Sequence, residues 1–438
     1  MRGDHLARFR IRSSAGDLPA RLAGQPAPGC DIGPRERRGL GVNPLRCLWV
    51  TRLAPFPPLF GGDAIYSRRL IESLSSAGAV VTVLCHDPDG RRPKDATNTV
   101  WSIIPFRDRG RARSLLGRRP AIVHRFSTPE IRAALSALVD EQEWDAVVID
   151  GLAMAGVLEG RSGTSLRSGS ATLVYLSTNH ESSLRRQLAD QAPARSLYRL
   201  ALRLDAAKAR SYESALVSSV DLVTVTTPTD DRLFKELHPQ VRTLVLPPGY
   251  DGSGVEHRTI DMRTPRRVLV LGSYAWVAKQ FNLLGFLRAA VGLLEAAAIG
   301  IDVVGSIPDE FASHVRREFP TVNVTGAVDD IRPFFARTRI GIVAEEIGGG
   351  FKLKALDYVF NRLPVAALAG SVEGTPLQAG VSMLEFPDTM QLAEGIKDLI
   401  DDLERLNALQ EAAFASCRGR FNWSDRGQRL IEDLRRTD

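Results

Sequence analysis

The chain has 438 residues, 44% of them hydrophobic and 25% charged, with a formal net charge of +6. That is globular usage rather than the polar, low-apolar signature of disorder, and the length suits two or three domains. Apolar runs are short, such as Val80 to Cys85 and Val268 to Leu271, and none nears the ~20 consecutive apolar residues of a membrane span, so the reading excludes a spanning protein.

The first 44 residues mix Arg, Gly, Pro and Ala without a helical or strand period, as in Gly24-Gln25-Pro26-Ala27-Pro28-Gly29. They are expected to be a disordered leader or an upstream mis-start. Nine arginines against four acids fall within residues 1–46, so five of the six excess positive charges sit there. The rest of the chain carries no domain-wide basic field, which argues against nucleic acid as a partner.

From Leu45 onward, β-branched runs alternate with helical patterns, the arrangement that predicts βαβ units around a parallel sheet. Strands are predicted at Arg46 to Thr51, Ala79 to His86, Val100 to Pro105, Asp145 to Asp150, Thr172 to Thr178, Asp221 to Thr226 and Arg242 to Leu246. Asp63 to Ala77 reads as a helix stopped by Gly78. A long helical stretch follows from Glu181 to Val220, with Pro193 expected to interrupt it. Leu197, Leu200, Ala201, Leu204, Ala207 and Ser211 keep its 3.6-residue stripe, and Arg185, Arg186, Arg199, Arg203 and Arg210 make an outer face. Such a face suits either solvent or an anionic membrane surface.

After a polar linker from Gly252 to Arg267, further strands are predicted at Val268 to Gly272, Ile301 to Gly305, Val322 to Thr325, Ile340 to Ala344, Val365 to Leu368 and Ser382 to Phe386. The fold class is therefore α/β, with two Rossmann-like domains at about 45–255 and 265–420 and a terminal segment at 421–438. Ligands of such folds bind beyond the carboxyl ends of the strands. The four cysteines, Cys30, Cys47, Cys85 and Cys417, have no CxxC spacing, which favours neither a disulfide framework nor a zinc knuckle and suits a reducing, cytoplasmic compartment.

The most informative segment is Glu345-Glu346-Ile347-Gly348-Gly349-Gly350-Phe351-Lys352-Leu353-Lys354-Ala355-Leu356-Asp357. A strand ends before it and a helix is expected from about Phe351, whose exposed amides, with Gly349 and Gly350, favour a phosphate. In that register Gly350, Lys354 and Asp357 share one face while Lys352 points elsewhere. Two readings stand: Lys354 meets a diphosphate while Asp357 accepts from sugar or ribose hydroxyls, or the segment is a glycine turn with a Lys354–Asp357 surface pair. Lysine usage bears on the choice. The chain has seven lysines among 57 basic residues, and Lys279, Lys352 and Lys354 fall in two glycine-bearing loops. A point-charge ammonium on a flexible stem suits a diphosphate reached from both loops.

On these residues the chain resembles a glycosyltransferase of the family 4 type with the two-domain GT-B fold. Where that family has Glu, seven residues, Glu, this chain has Gly349 and Asp357, and the motif ends in Leu363-Pro364-Val365. Glu345 or Glu346 is a candidate substitute for the first Glu. Pro57 to Gly62 resembles the family's first glycine loop, which implies a donor-facing role for Gly61 and Gly62. Gly272-Ser273 through Trp276 resembles the opening of the donor domain, Gly326 to Arg332 the base-reading loop, Pro247 to Asp251 the hinge, and Phe421-Asn422-Trp423 the start of a helix crossing back onto the first domain.

The resemblance implies transfer of a hexose from a nucleotide diphosphate sugar to a hydroxyl acceptor (glycan, lipid-linked or small molecule), with retention of configuration and with lysines and amides in place of a metal. Location would be cytoplasmic, with peripheral contact at the inner membrane face as one expectation. Catalytic candidates are Asp150 and His180, each ending a predicted strand of the first domain. The competing reading makes His180 part of a helix cap and Asp150 structural. Asp87-Pro88-Asp89 is expected to be a turn rather than a cation site. The functional alternatives are a catalytically idle nucleotide-sugar binder or scaffold, and a sugar-nucleotide epimerase on the same fold. No GxGxxG follows Val50 or Val270, which argues against a nicotinamide enzyme.

Overall fold

A computed structural model describes residues 44–56, 61–91, 99–110, 112–192, 196–252 and 254–436. The leader expectation, the loop residues Pro57 to Phe60, Pro193 and Cys30 lie outside these.

Seven parallel strands form the first sheet: β1 (Arg46–Val50), β2 (Val80–Asp87), β3 (Thr99–Pro105), β4 (Ala146–Asp150), β5 (Thr172–Leu176), β6 (Leu222–Val225) and β7 (Thr243–Val245). Their order is β3-β2-β1-β4-β5-β6-β7. Helices cover both faces, so the strands read as continuous apolar runs. Within β1 the period of two still operates: Leu48 and Val50 enter one core, with Val123, Ile131 and Phe234, while Cys47 and Trp49 enter the other, with Leu70 and Leu74.

The second sheet has β8 (Arg267–Leu271), β9 (Gly300–Val304), β10 (Asn323–Thr325), β11 (Ile340–Val343), β12 (Val365–Leu368) and β13 (Leu384–Phe386), in the order β10-β9-β8-β11-β12-β13. Both sheets are doubly wound. Strand order reverses between β1 and β4 in the first and between β8 and β11 in the second, and crevices open at such points.

One helix of the second domain, Val277–Ala296, is long and apolar enough to cross a membrane by length and composition, which the reading of the sequence did not anticipate. It buries Leu283, Phe286, Leu287, Ala290 and Leu294 in the core against Val268 and Val270, as a core helix does.

The final helix, Trp423–Leu434, leaves the second domain and packs on the first, as a crossing helix should. Leu430 and Ile431 join Leu70, Ile71 and Leu74 of the helix Gly62–Ser76. Close approach is possible because residue 427 is glycine. A Cβ there would lie 2.5 Å from the Ser73 carbonyl carbon, while the Gly427 amide donates to Ser73 Oγ at 2.9 Å. At the hinge, the Tyr250 amide donates to the Phe421 carbonyl at 2.7 Å.

The Asp87 turn forms as expected. Its carboxylate accepts from the Asp89 amide at 2.9 Å and pairs with Arg91 at 2.9 Å, so it serves the turn and its neighbouring guanidinium.

Candidate functional site

A cleft with a cavity volume of about 170 Å³ lies between the two sheets, lined from the first domain by His180, Gln187 and Asp230 and from the second by Glu345, Gly348 to Gly350, Lys352 and Glu373. Behind this lining lies the switch point of the second sheet, and Lys279 and Lys354 join the cleft through Glu345 rather than by lining it. Lys279 stands in the first turn of the helix after β8, and Glu345 in the loop after β11.

Around Glu345 the three lysines of the two loops converge. Lys279 Nζ pairs with Glu345 Oε2, Lys354 Nζ lies 2.6 Å from Oε1, and Lys352 Nζ lies 3.8 Å from Oε2. Burial alone would raise the Glu345 carboxyl, but Lys354, Lys279 and Lys352 outweigh it and hold the group well below the usual carboxylate range. The lysines are crowded in turn: burial pushes Lys279 down to about 8 despite Glu345, with Lys354 and Lys352 adding to the fall, and it lowers Lys352 as well. Three ammonium groups contact one carboxylate at the helix starts, and Asp230 and Glu373 of the cleft lining act on Lys352 as well.

Lys352 is a correction to the sequence reading. The helix begins at Leu353, not Phe351, and Lys352 is its N-cap residue. It is therefore outside the helical register that would have turned it away, and its buried Nζ donates to the carbonyls of Gly349 at 2.6 Å and Gly350 at 3.0 Å. The shared face of Gly350, Lys354 and Asp357 fails for the same reason. Gly350 precedes the helix with φ of 65°, and a Cβ on it would meet the Thr178 carbonyl oxygen of the first domain at 2.0 Å.

The Asp357 carboxyl is half-buried beside the hinge, hydrogen-bonded to the Tyr250 hydroxyl, and desolvation pushes it up to about 6 in spite of that bond. It forms no surface pair with Lys354, which faces Glu345. Glu346 is exposed and also faces away, toward Thr389.

The glycine loop is held from both domains. Asn282 clamps Ile347 through both amide directions, at 2.7 and 2.9 Å. From the first domain, Gln187 accepts from the Gly348 amide at 3.0 Å and Thr226 Oγ1 from the Phe351 amide at 3.2 Å. With its amide oriented to satisfy its neighbours, Asn179 donates to the Gly349 carbonyl at 2.7 Å. Ile347 packs with Ala278 and with Leu184 of the opposite domain, closing the back of the cleft. Gly61 and Gly62 open the helix Gly62–Ser76, and Gly62 faces Leu353 across the interface, near the lysine-bearing helix start. Gly272 and Ser273 sit in the loop after β8, where the Gly272 amide donates to Val304 at 3.1 Å, outside the cleft lining.

His180 lines the cleft, with both ring nitrogens turned into the first domain. Nδ1 meets Ser183 Oγ at 2.8 Å, and Nε2 lies 3.8 Å from Glu213 Oε2. The ring meets Phe234 edge to face at 4.8 Å, and burial pushes the imidazole down to about 4, with Arg186 adding to the effect. Its side chain does not cap the helix Glu181–Gln191. Glu213 of the neighbouring helix does, accepting from the amides of Glu181 at 3.0 Å and Ser182 at 2.8 Å. Asp150 lies away from the cleft lining, where its buried carboxylate accepts from Trp49 Nε1 at 3.0 Å and Ser67 Oγ at 2.6 Å.

Sequence reasoning missed Asp230, Gln187 and Glu373 in this cleft. Asp230 carried a local signal, because Thr227-Pro228-Thr229-Asp230 reads as a helix start. Thr227 Oγ1 accepts from the Asp230 amide at 3.1 Å, and the Asp230 carboxylate accepts from the His180 amide at 3.2 Å. Gln187 and Glu373 have no local mark of this kind. Among the described residues no group of three or more His, Cys, Asp or Glu side chains gathers as a metal site would require.

Comparison with known proteins bears on this geometry. Residues 265–402 match the family model described as Glycosyl transferases group 1. No curated protein matches by sequence. Among solved structures the chain is similar to a sucrose-phosphate synthase from Thermosynechococcus elongatus, at 17% identity and a TM-score of 0.64, over 89% of this chain and 98% of that one. It is also similar to WaaG, a glycosyltransferase involved in lipopolysaccharide biosynthesis (15%, TM-score 0.61, 89% of this chain and 100% of that). Anabaena HepE, in complex with UDP and glucose, is a third (14%, TM-score 0.57, 89% and 99%). At these identities the likeness concerns the fold, which is GT-B.

Proposed function

We propose that this chain, a family 4-like glycosyltransferase by its group 1 second domain and its GT-B fold, moves a hexose from a nucleotide diphosphate sugar to a hydroxyl acceptor with retention of configuration. The observation that carries the reading is the convergence of Lys279, Lys352 and Lys354 at the switch point of the second sheet. A diphosphate placed there would meet three ammonium groups that contact a single carboxylate, Glu345. In transfer, negative charge builds on the departing diphosphate as the glycosidic bond breaks, and preorganised ammonium groups stabilise that charge most where water is excluded. The lysines thereby supply what a divalent cation supplies in other transferases. His180 and Asp230, across the cleft, stand on the side from which the sugar and acceptor would be held. UDP is the first nucleotide to try, because HepE is described with UDP and glucose. Location at a membrane face is a separate proposal, taken up below.

The engagement of Asp357 by Tyr250 favours a second reading, an idle nucleotide-sugar binder, since the residue at the family's second acidic position is already occupied. Thermal stabilisation by UDP, GDP, ADP and dTDP, with and without EDTA, tests the donor site. One nucleotide should raise the melting temperature of the full chain, with ligand at about 100 times its dissociation constant adding about 2.7 kcal/mol. Lys354→Ala should abolish the shift, and EDTA should not. Failure of every nucleotide to stabilise folded protein would end the donor-site reading. Binding without sugar release or transfer would instead select the idle binder.

A further inference from the structure

The outer face of the helix Leu197–Val217 is apolar where a solvated helix would be polar. Its inward face is set by Ala209, Glu213, Leu216 and Val217, and none of its residues before Ala209 is buried. At 100° per residue the opposite side is centred on Leu197, Leu200, Leu204, Ala207 and Ser211, and the three leucines are 86%, 56% and 48% exposed. The turn at Ala112–Leu116 lies alongside: Lys208 Nζ donates to the Ser114 carbonyl at 2.8 Å, and the Ala121 amide donates to Asp205 Oδ1 at 2.6 Å. That turn presents Leu116, 96% exposed, to the same solvent.

Basic residues flank the apolar stripe. Arg203 and Arg210 project from one side of the helix, Arg113 and Arg118 flank Leu116, and Arg186 is exposed on the adjoining helix Glu181–Gln191. Arg113, Arg118, Arg186 and Arg210 have no ion-pair partner among the described residues, whereas Arg185, Arg119 and Arg125 of the same region are paired to acids. Leucines at the centre of a face with unpaired guanidinium groups around them match the two requirements of an interfacial helix: apolar burial at the level of the acyl chains, and cations at the level of the headgroups.

We infer that the face formed by Leu116, Leu197, Leu200 and Leu204 with Arg113, Arg118, Arg186 and Arg210 docks on an anionic lipid surface. A second copy of the chain is a poorer occupant, because a self-complementary contact would set these unpaired arginines against their own counterparts. An anionic bilayer matches them in charge. The inference is independent of the donor site, although the helix pair that would meet the lipid also carries His180 and Gln187 in the cleft wall.

Flotation of the full chain with vesicles of phosphatidylglycerol and phosphatidylcholine, against phosphatidylcholine alone, tests it. Binding should need the anionic lipid, weaken at high salt, and fall at least tenfold in Leu200→Ser with Leu204→Ser and in Arg113→Gln with Arg210→Gln. These side chains are exposed, so the melting temperature should be unchanged. Should the leucine pair nevertheless unfold the protein, Leu116→Ser gives the same comparison from a different element. Absence of binding to either vesicle overturns the inference. So does binding that survives the substitutions, which would assign it to the arginine-rich residues 1–46. Lipid-free self-association abolished by the leucine substitutions would overturn it in favour of a second copy.

Discussion

Lys279 shows how one residue can set the pH dependence of the proposed donor site. Its ammonium is pushed down to about 8 by burial and by the two neighbouring lysines, with Glu345 opposing. It is charged below that value and loses its charge above it, so affinity for a nucleotide diphosphate should fall as pH rises from 7 to 9. The fall should approach tenfold, the equivalent of about 1.4 kcal/mol, and Lys279→Arg should flatten the profile in a titration by calorimetry. Asp357 works in the other direction. Its folded pKa of about 6 lies above the ordinary 3.8, so the fold favours the protonated carboxyl. That contribution is complete below pH 4 and is lost as pH rises through 6. Asp357→Asn should therefore match the parent at pH 4 and exceed it at pH 8 by about 1–3 kcal/mol, read by urea denaturation at the two values. An unchanged difference between the two pH values would show that Asp357 does not titrate there.

Among the elements, the crossing helix Trp423–Leu434 depends on a contact without side-chain slack. Gly427 lies against the backbone of Ser73, so an added methyl cannot be relieved by a rotamer change. Gly427→Ala should cost about 1–3 kcal/mol, the usual penalty of overpacking, visible as a lower melting temperature that Ser73→Ala does not restore. The elements were also the most legible part of the sequence. Val147-Val148-Ile149 reads as a strand because apolar residues in a short continuous run have nowhere to go but a doubly covered sheet, and β4 is there. The start of the helix after Gly350 was less legible. Local pattern extends it to Phe351, but Phe351 gives its amide to Thr226 of the other domain, and the helix waits until Leu353. That delay of two residues moved Lys352 from the outside of the site to its centre.

For the whole molecule, the crossing helix makes the first domain depend on the end of the chain. Leu430 and Ile431 complete a core otherwise built from residues 45–246. Removing residues 421–438 should expose that core and destabilise the first domain, at about 1.5–3 kcal/mol for each large apolar side chain lost. Differential scanning calorimetry should then show the first domain melting earlier than the second. A single unshifted transition would mean that the helix contributes little to the core. The two domains also share the cleft's back wall, where Leu184 packs with Ala278 and Ile347.

Local sequence determined the two α/β domains, the positions of their strands along the chain, the glycine loop, and the concentration of scarce lysines beside it. Each is a matter of local pattern, because apolar period, turn chemistry and residue choice act over a few positions. Tertiary structure alone decided which charges meet. Glu345 and Lys279 are 66 residues apart and become partners because β8 and β11 are neighbours at the switch point. Asp357 went to Tyr250 at the hinge, and the ring nitrogens of His180 met Ser183 one turn along the helix Glu181–Gln191 and Glu213 of the helix Leu197–Val217. A buried charge takes the best partner within a few ångströms, and distance in space is set by the sheets rather than by the spacing of residues along the chain.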